Sequence, residues 1–258
     1  AKTLHVGFGR IQFTPDLMPS DILGTLVFDV KKSDFEYKKG PIFSNIILID
    51  EINRAPAKTQ AALFEVMEER QITMDGNTYT MPLPFLVMAT QNPIEQEGTY
   101  RLPEAQLDRF LMKIEIDYPE LDDEIEIIHR EHHMLTANKL ADIRQLVTRE
   151  EIFAFQTLVR QVRVEPPIIT YIARIVVNTR QNALLYLGAS PRASIALLNA
   201  SKALAAMKGR DFVTPEDIKD VSYAVLGHRV VVTPEKEMEG ITAKLIIRQI
   251  IESVEIPR

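Results

Sequence analysis

The chain has 258 residues, a length typical of one or two domains. Its hydrophobic content of 46% and charged content of 26% are those of a globular protein with enough apolar side chains for a core. The absence of cysteine excludes disulfide bonds, thiolate nucleophiles and sulfur-ligated zinc, and a net charge of -6 argues against a protein whose main task is to bind nucleic-acid phosphates. We find no apolar run long enough to span a bilayer and no signal peptide at the start, so we expect a cytoplasmic protein.

Short apolar segments alternate with helical patterns up to about Tyr118. We predict strands over residues 10–13, 46–49, 85–90 and 112–116. The uninterrupted apolar run at 46–49 is typical of a strand that is buried on both faces. Residues 57–69 carry an apolar stripe at helical spacing. Strands that alternate with helices indicate an α/β fold with a mostly parallel sheet and helices on both faces.

Two β-hairpins interrupt this alternation. Residues 71–74 and 78–81 flank the turn sequence Asp75-Gly76-Asn77, which favours a tight hairpin turn. Residues 26–29 and 35–37 flank a weaker turn. Both hairpins would be insertions into a plain parallel sheet.

Helix signals dominate after Pro119. Thr148 and Thr214 each begin a sequence typical of a helix N-terminus, and Ser190-Pro191-Arg192 opens another helix. We therefore predict an α/β domain over residues 1–119, with the hairpins as insertions near 26–37 and 71–81, and a C-terminal all-α domain over 120–258.

The adjacent carboxylates Asp50 and Glu51 follow the buried strand directly. Open α/β sheets bind their ligands at the carboxyl ends of the strands. There, the first carboxylate can hold Mg²⁺ and the second can polarise an attacking water. The alternative is a charged turn without a chemical role.

Three polar residues elsewhere fit the same chemistry. Asn92 follows the third strand and can orient a water, although an ordinary Asn-Pro turn is the alternative. Lys2 and Thr3 match the tail of a phosphate-binding loop, in which Lys reaches the phosphates and Thr holds Mg²⁺. By themselves these residues are more typical of an arbitrary segment.

Two arginines are candidates for anion binding. Arg109 precedes the fourth predicted strand and could reach a neighbouring subunit's nucleotide, or it could form a surface ion pair with Asp108 or Glu104. Arg192 lies in the first turn of a predicted helix, where the helix dipole also favours anions, or it is an ordinary exposed charge.

Three histidines lie close together on a probable helix near Glu126: His129, His132 and His133. Their spacing could bind a metal, but the segment is rich in charge and we favour a solvated helix face. No nucleophile-elbow motif supports a Ser-His-Asp hydrolase.

Several sequence blocks in this order resemble AAA+ ATPases, and specifically the MoxR family. The blocks are RIQFTPD (10–16), PSDILG (19–24), DEINRAP (50–56), ATQNP (89–93), EGTY (97–100), PEAQLDRF (103–110) and GASPRA (188–193). The resemblance covers essentially the whole chain. It implies a P-loop-type core with a helical lid, and it identifies the two hairpins as the helix-2 and pre-sensor-1 insertions of that clade.

The resemblance also implies roles for the candidate residues. It makes Asp50 and Glu51 the Walker B pair, Asn92 sensor 1, Arg109 the arginine finger and Arg192 sensor 2, acting in cis or in trans. Lys2 and Thr3 would bind ATP, and Thr3 and Asp50 would hold Mg²⁺.

At the level of the molecule, the resemblance implies a homo-oligomeric ring, expected to be a hexamer. The ring would hydrolyse ATP to remodel a client protein or to insert a metal or cofactor. Its partners would include a protein with a von Willebrand factor A domain.

One departure from the family leaves alternatives open. The glycine-rich part of the phosphate loop is not in this chain, and residues 4–9 are too short for the helix that follows the loop in the family. We expect that the sequence is part of a longer protein; otherwise nucleotide binding is impaired. The rival functions are a non-hydrolysing assembly or scaffold module and, less compatible with the acidic charge, a DNA-remodelling motor.

Overall fold

The computed structural model describes residues 1–92, 100, 102–133 and 143–256. The strands are β1 (Phe8–Gln12), β2 (Gly24–Asp29), β3 (Asp34–Lys39), β4 (Ile46–Asp50), β5 (Gln71–Met74), β6 (Asn77–Thr80), β7 (Leu86–Ala89), β8 (Leu185–Leu187) and β9 (Val231–Val232). The α-helices are α1 (Pro19–Leu23), α2 (Ala57–Glu69), α3 (Glu104–Leu107), α4 (Leu121–His133), α5 (Arg149–Gln161), α6 (Pro166–Gln181), α7 (Pro191–Met207), α8 (Pro215–Leu226), α9 (Pro234–Met238) and α10 (Ala243–Ser253).

The main sheet contains β1, β4 and β7, which run parallel with β4 in the centre. Ile46, Ile47 and Ile49 of β4 are buried, as their uninterrupted apolar run predicts. Gln12 at the end of β1 lies opposite Asp50 at the end of β4. Because the strands are parallel, the polar residues that follow them collect at one edge of the sheet.

Helix α2 crosses over from β4 toward β7 and has the bounds that the apolar stripe predicts. Leu63, Phe64 and Val66 are buried in the core. The side-chain amide of Gln60 donates to the carbonyls of Ile52 and Ala55 at 3.2 and 3.1 Å, which ties the loop after β4 to the first turns of α2. The helix therefore starts at the carboxyl edge of the sheet and ends at the opposite edge.

Both predicted hairpins are present. β2 pairs with β3 and β5 pairs with β6, each pair antiparallel. Asp75 and Gly76 both have positive φ, at 51° and 73°. A two-residue hairpin turn of this type requires positive φ at both positions, which explains the Asp-Gly sequence.

The prediction of a fourth strand at 112–116 is wrong for the described structure. The backbone N–H of Lys113 donates to the carbonyl of Ala224 in α8 at 2.8 Å, and the hydroxyl of Tyr223 donates to Glu115 at 2.6 Å. Ile114 and Ile116 are 78% and 92% exposed. Apolar residues alternate in this segment as they do in a strand. The segment nevertheless lies against helix α8, where its backbone has no neighbouring strand to pair with in the described part of the chain.

The C-terminal part is mainly helical, with caps where the sequence predicts them. Thr148 and Thr214 form capping boxes with Glu151 and Asp217, and Ser190 caps α7. The prediction of an all-α domain needs one correction, because β8 and β9 form a small antiparallel pair. At three and two residues, these strands are too short to give a sequence signal.

The hydrophobic side chains divide into two clusters. One contains buried residues between Ile11 and Leu102, and the other contains buried residues between Val162 and Val254. The change from one cluster to the other falls between Leu102 and Val162, and the boundary between residues 119 and 120 stays a prediction. Within the described ranges, no helix is both long enough and apolar enough to cross a membrane.

Candidate active site

Asp50 is the last residue of β4 and lies at the carboxyl edge of the sheet. Its side chain is 16% exposed and forms an ion pair with Arg10 of β1, with 2.6 Å between Nε of Arg10 and Oδ2 of Asp50. A carboxylate here can bind a cation, and in this conformation a guanidinium occupies one of its oxygens.

Glu51 adopts a left-handed backbone conformation with φ at 57°. This conformation costs a non-glycine residue about 1 kcal/mol or more, and such strain is concentrated at functional sites. The backbone N–H of Glu51 donates to the hydroxyl of Thr90 at 3.0 Å, and the N–H of Ile52 donates to the Thr90 carbonyl at 3.0 Å. The loop after β7 therefore fixes the turn that contains Glu51.

The carboxylate of Glu51 is oriented by two side chains that we did not predict. Nε2 of Gln12 donates to Oε2 of Glu51 at 2.9 Å, and Nε of Arg54 lies 3.2 Å from the same oxygen. Gln12 could have been predicted from the parallel pairing of the two strands, because they end at Gln12 and at Asp50, next to Glu51. For Arg54, the only indication in the sequence is its position three residues after Glu51.

Asn92 lies two residues beyond Thr90, on the loop that leaves β7, and is partly buried. Its position places it on the same edge of the sheet as Asp50 and Glu51. Pro93 and residues 97–99, which belong to two of the sequence blocks above, lie outside the described residues.

Lys2 and Thr3 lie toward the other edge of the sheet. They belong to a short 3-10 turn that precedes β1, and the Thr3 carbonyl accepts hydrogen bonds from the N–H groups of Leu146 and Val147 at 2.9 and 3.1 Å. The predicted grouping of Lys2 and Thr3 with Asp50 stays a prediction. Residues 5–7, which connect this turn to β1, contain no helix.

Arg109 and Arg192 converge on one acidic residue, Glu68. Nη1 of Arg109 lies 2.7 Å from Oε2 of Glu68, and the guanidinium of Arg192 contacts Oε1 of the same carboxylate. Nη1 of Arg109 also donates to the Phe64 carbonyl at 2.9 Å. Arg109 therefore does form an ion pair, but with Glu68, which was not one of the two partners considered and lies far from it in sequence.

The two groups of candidate residues lie near opposite ends of α2. Glu51 precedes its first turn and Glu68 lies in its last turn. At about 1.5 Å per residue, Ala57 and Glu68 are roughly 16 Å apart along the helix axis. Arg109 and Arg192 thus lie together, and so do Asp50 and Glu51. Within one chain, however, the two pairs lie at opposite ends of α2.

A buried arginine joins the Arg109 loop to the helical lid. Arg229, with a side chain only 3% exposed, donates from Nε to Oδ1 of Asp108 at 2.9 Å, while Ser190 donates to Oδ2 of Asp108 at 2.7 Å. Burial lowers the pKa of Arg229, and the Asp108 carboxylate opposes that effect. Burial and the neighbouring charge of Arg229 lower the pKa of His228 to about 4.

The carboxylates at the carboxyl edge of the sheet are suitable ligands for a Mg²⁺ ion that is also bound by other groups. Asp50 and Glu51 provide two carboxylates, and no group of three or more His, Cys, Asp or Glu side chains placed to hold a metal occurs among the described residues. Mg²⁺ is usually held by one or two carboxylates together with water and substrate phosphates, and not by a cage of protein ligands. The residues present therefore fit Mg²⁺ that arrives with a nucleotide.

The histidines of α4 do not form a metal site in the described structure. His129 and His132 are exposed on a helix whose described side chains all face solvent. The side chain of His133 lies outside the described residues.

Comparisons with known proteins agree with this architecture. Residues 1–112 match the model of the ATPase family associated with various cellular activities (AAA), and residues 177–250 match an AAA lid domain. The Bacillus subtilis protein YeaC is 45% identical, over 100% of this chain and 79% of its own length. Chaperone MoxR1 of Mycobacterium tuberculosis is 42% identical, over 100% of this chain and 70% of its own length.

A crystal structure is also similar over the full length of the chain. It is that of a candidate ATPase from Cytophaga hutchinsonii, with a TM-score of 0.90 and 44% sequence identity over 100% of this chain and 80% of that one.

Proposed function

The chain belongs to the MoxR family of AAA+ ATPases, and on that premise we propose that it hydrolyses ATP at the edge of the sheet formed by Asp50 and Glu51. The observation that carries this proposal is the strained, doubly anchored Glu51. Its backbone is held by Thr90 and its carboxylate by Gln12 and Arg54. A carboxylate that is already held in one orientation can activate a water without the entropic cost of being oriented first.

In the proposed mechanism, Glu51 accepts a hydrogen bond from the attacking water and Asn92 helps to place that water. Asp50 would hold Mg²⁺, which when bound neutralises the charge of the phosphates. Arg10 must then give up part of its contact with Asp50.

Lys2 and Thr3 enter the proposal through the family resemblance alone. There they would bind the phosphates, and Thr3 would share Mg²⁺ with Asp50. This role requires the turn at Lys2–Leu4 to lie at the carboxyl edge of the sheet, next to Asp50.

Arg109 and Arg192 would act on the nucleotide of a neighbouring subunit, since α2 separates them from the Glu51 of their own chain. Such an arrangement requires an oligomer, for which we propose a hexameric ring. By family resemblance, the work of the ring is chaperone-like remodelling of a client protein or insertion of a metal or cofactor. A protein with a von Willebrand factor A domain is the proposed partner.

The test of the proposed activity is Glu51→Gln. This change keeps the size of the side chain but removes the charge that activates water, so we expect Mg-ATP binding to persist while turnover falls by ~10²-fold or more, the scale of general-base catalysis. Steady-state phosphate release and nucleotide titration measure the two effects.

Glu65→Gln is the matched control, because Glu65 is an exposed glutamate on α2. Its turnover should equal that of the wild type. Turnover in Glu51→Gln as high as in the control would refute the role of Glu51. A wild-type chain that binds Mg-ATP without turnover would favour the scaffold function instead.

A further inference from the structure

Glu68 is the only side chain that contacts both candidate arginines in the described part of the chain. Its two carboxylate oxygens bind different guanidinium groups, one from the core loop that contains Arg109 and one from the lid helix α7 that contains Arg192. Each arginine alone could adopt many rotamers, and a shared carboxylate restricts both at once.

The position of Glu68 is unfavourable for the helix that carries it. It lies in the last turn of α2, where the helix dipole disfavours a negative charge. The two guanidinium groups compensate that cost. They would also repel each other without the carboxylate between them. A contribution to helix stability therefore does not explain why a glutamate occupies position 68, whereas its ion pairs with the two arginines do.

The backbones of both arginines are fixed independently of Glu68. Asp108, which precedes Arg109, accepts hydrogen bonds from Ser190 and Arg229. Ser190 in turn accepts a hydrogen bond at 3.1 Å from the backbone N–H of Arg192. The core loop and the lid helix are thus joined without Glu68, and what remains for Glu68 is the direction of the two side chains.

The resulting cluster attracts a further anion. Two guanidinium groups and one carboxylate leave a net positive charge, and the Arg109 and Arg192 side chains are 30% and 46% exposed. Planar guanidinium groups bind phosphate oxygens through several hydrogen bonds at once. A phosphate of the same chain's candidate site would have to approach from the other end of α2.

We propose that Glu68 is a positioning residue that aligns Arg109 and Arg192 as one guanidinium pair for the phosphates of a neighbouring subunit's nucleotide. This inference rests on the proposed function. It assigns to Glu68 a role in the reaction without contact to the substrate, because Glu68 acts through Arg109 and Arg192.

The test uses Glu68→Ala and Glu68→Gln in the full chain. Loss of the carboxylate misdirects both arginines, and since misplacement by about 1 Å can cost ~10²-fold in rate, we expect turnover to fall on that scale with unchanged ATP affinity. Glu68→Gln keeps the length of the side chain but offers one acceptor oxygen, so turnover should fall there too. It also carries the test if the alanine variant does not fold.

Mixed oligomers distinguish a positioning role from a merely structural one. A Glu68→Ala subunit retains its own Glu51, and a Glu51→Gln subunit retains its aligned arginines, so an interface between them is complete and turnover should recover. The matched control is Glu69→Gln, which changes an exposed glutamate next to Glu68 and should leave turnover unchanged.

Two results would overturn the inference alone. One is wild-type turnover in Glu68→Ala or Glu68→Gln. The other is no recovery in co-assembled Glu68→Ala and Glu51→Gln subunits, while Arg109→Ala and Glu51→Gln subunits do recover. Absence of recovery in the Arg109→Ala mixture, or absence of turnover in the wild type, would overturn the proposed function and this inference together.

Discussion

At the scale of single residues, the site depends on how two neighbouring carboxylates are held. Asp50 is bound by one arginine through an ion pair, whereas Glu51 is anchored through its backbone and its side chain. The difference suits their proposed tasks. A metal ligand must exchange partners when Mg²⁺ and nucleotide arrive, and a group that activates water must keep its direction.

Asp50→Asn should weaken Mg²⁺-dependent nucleotide binding, because a neutral amide oxygen is a poorer ligand for Mg²⁺ than a carboxylate. Arg10→Ala should act in the opposite direction, since it removes the cation that competes for Asp50. Nucleotide titrations over a range of Mg²⁺ concentrations measure both effects. An unchanged Mg²⁺ dependence in Asp50→Asn would contradict the metal role of this residue.

At the scale of elements, the lid contains its own electrostatic anchor at the start of α8. Asp217 is fully buried, accepts hydrogen bonds from Arg210 and Thr214, and completes a capping box. Burial by itself would raise the pKa of Asp217, but the hydrogen bonds from Arg210 and Thr214 outweigh it and lower the pKa to about 2.

This anchor predicts how the stability of the lid depends on pH. Because the folded pKa of Asp217 lies below the unfolded value of 3.8, the stabilisation is complete above that value and is lost as the pH falls through about 2. The shift corresponds to ~2 kcal/mol. Asp217→Asn should lower the free energy of unfolding by about that amount at pH 7, and by about half as much at pH 3.

Urea unfolding at the two pH values measures the difference, with Asp220→Asn as control. Asp220 is exposed and pairs with the same Lys208 that contacts Asp217, so its loss should change stability by less than about 1 kcal/mol. Equal effects of the two substitutions would contradict the account of Asp217.

Individual elements differ in how far the sequence predicts them. The apolar stripe of α2 and the Asp-Gly turn between β5 and β6 are local patterns, and the structure confirms both. The segment 112–116 has an equally clear strand period, yet it lies against α8. Periodicity describes which side chains can share a face, but it does not identify the neighbour that the backbone will pair with.

At the scale of the whole molecule, several polar contacts join the sheet domain to the lid, and one group of them surrounds Asp108 and Glu68. Asp108 and Arg229 join the loop before residue 112 to the lid, and Glu68 joins α2 to the same region through Arg109 and Arg192. These five charged side chains come from four separate segments of the sequence. No local pattern predicts such pairing, and so Glu68, Gln12 and Arg229 were not among the predicted site residues.

The predicted site was thus partly assembled by the fold. Asp50, Glu51 and Asn92 follow two strands that the sequence identifies, so their common edge could be predicted. Lys2 and Thr3 could not be placed, because their position depends on the path of the chain before β1. The convergence of Arg109 and Arg192 depends on how the lid docks, which the sequence does not encode locally.

The central claim is that Glu51 and Arg109 of different subunits complete one catalytic site. The most direct measurement is ATP turnover by oligomers mixed from Arg109→Ala and Glu51→Gln chains, each of which should be nearly inactive alone, since an arginine finger contributes ~10³-fold or more. We predict that mixing restores turnover, because some interfaces then contain an intact Glu51 and an intact Arg109. Co-assembled mixtures that remain as inactive as either variant alone would contradict this account.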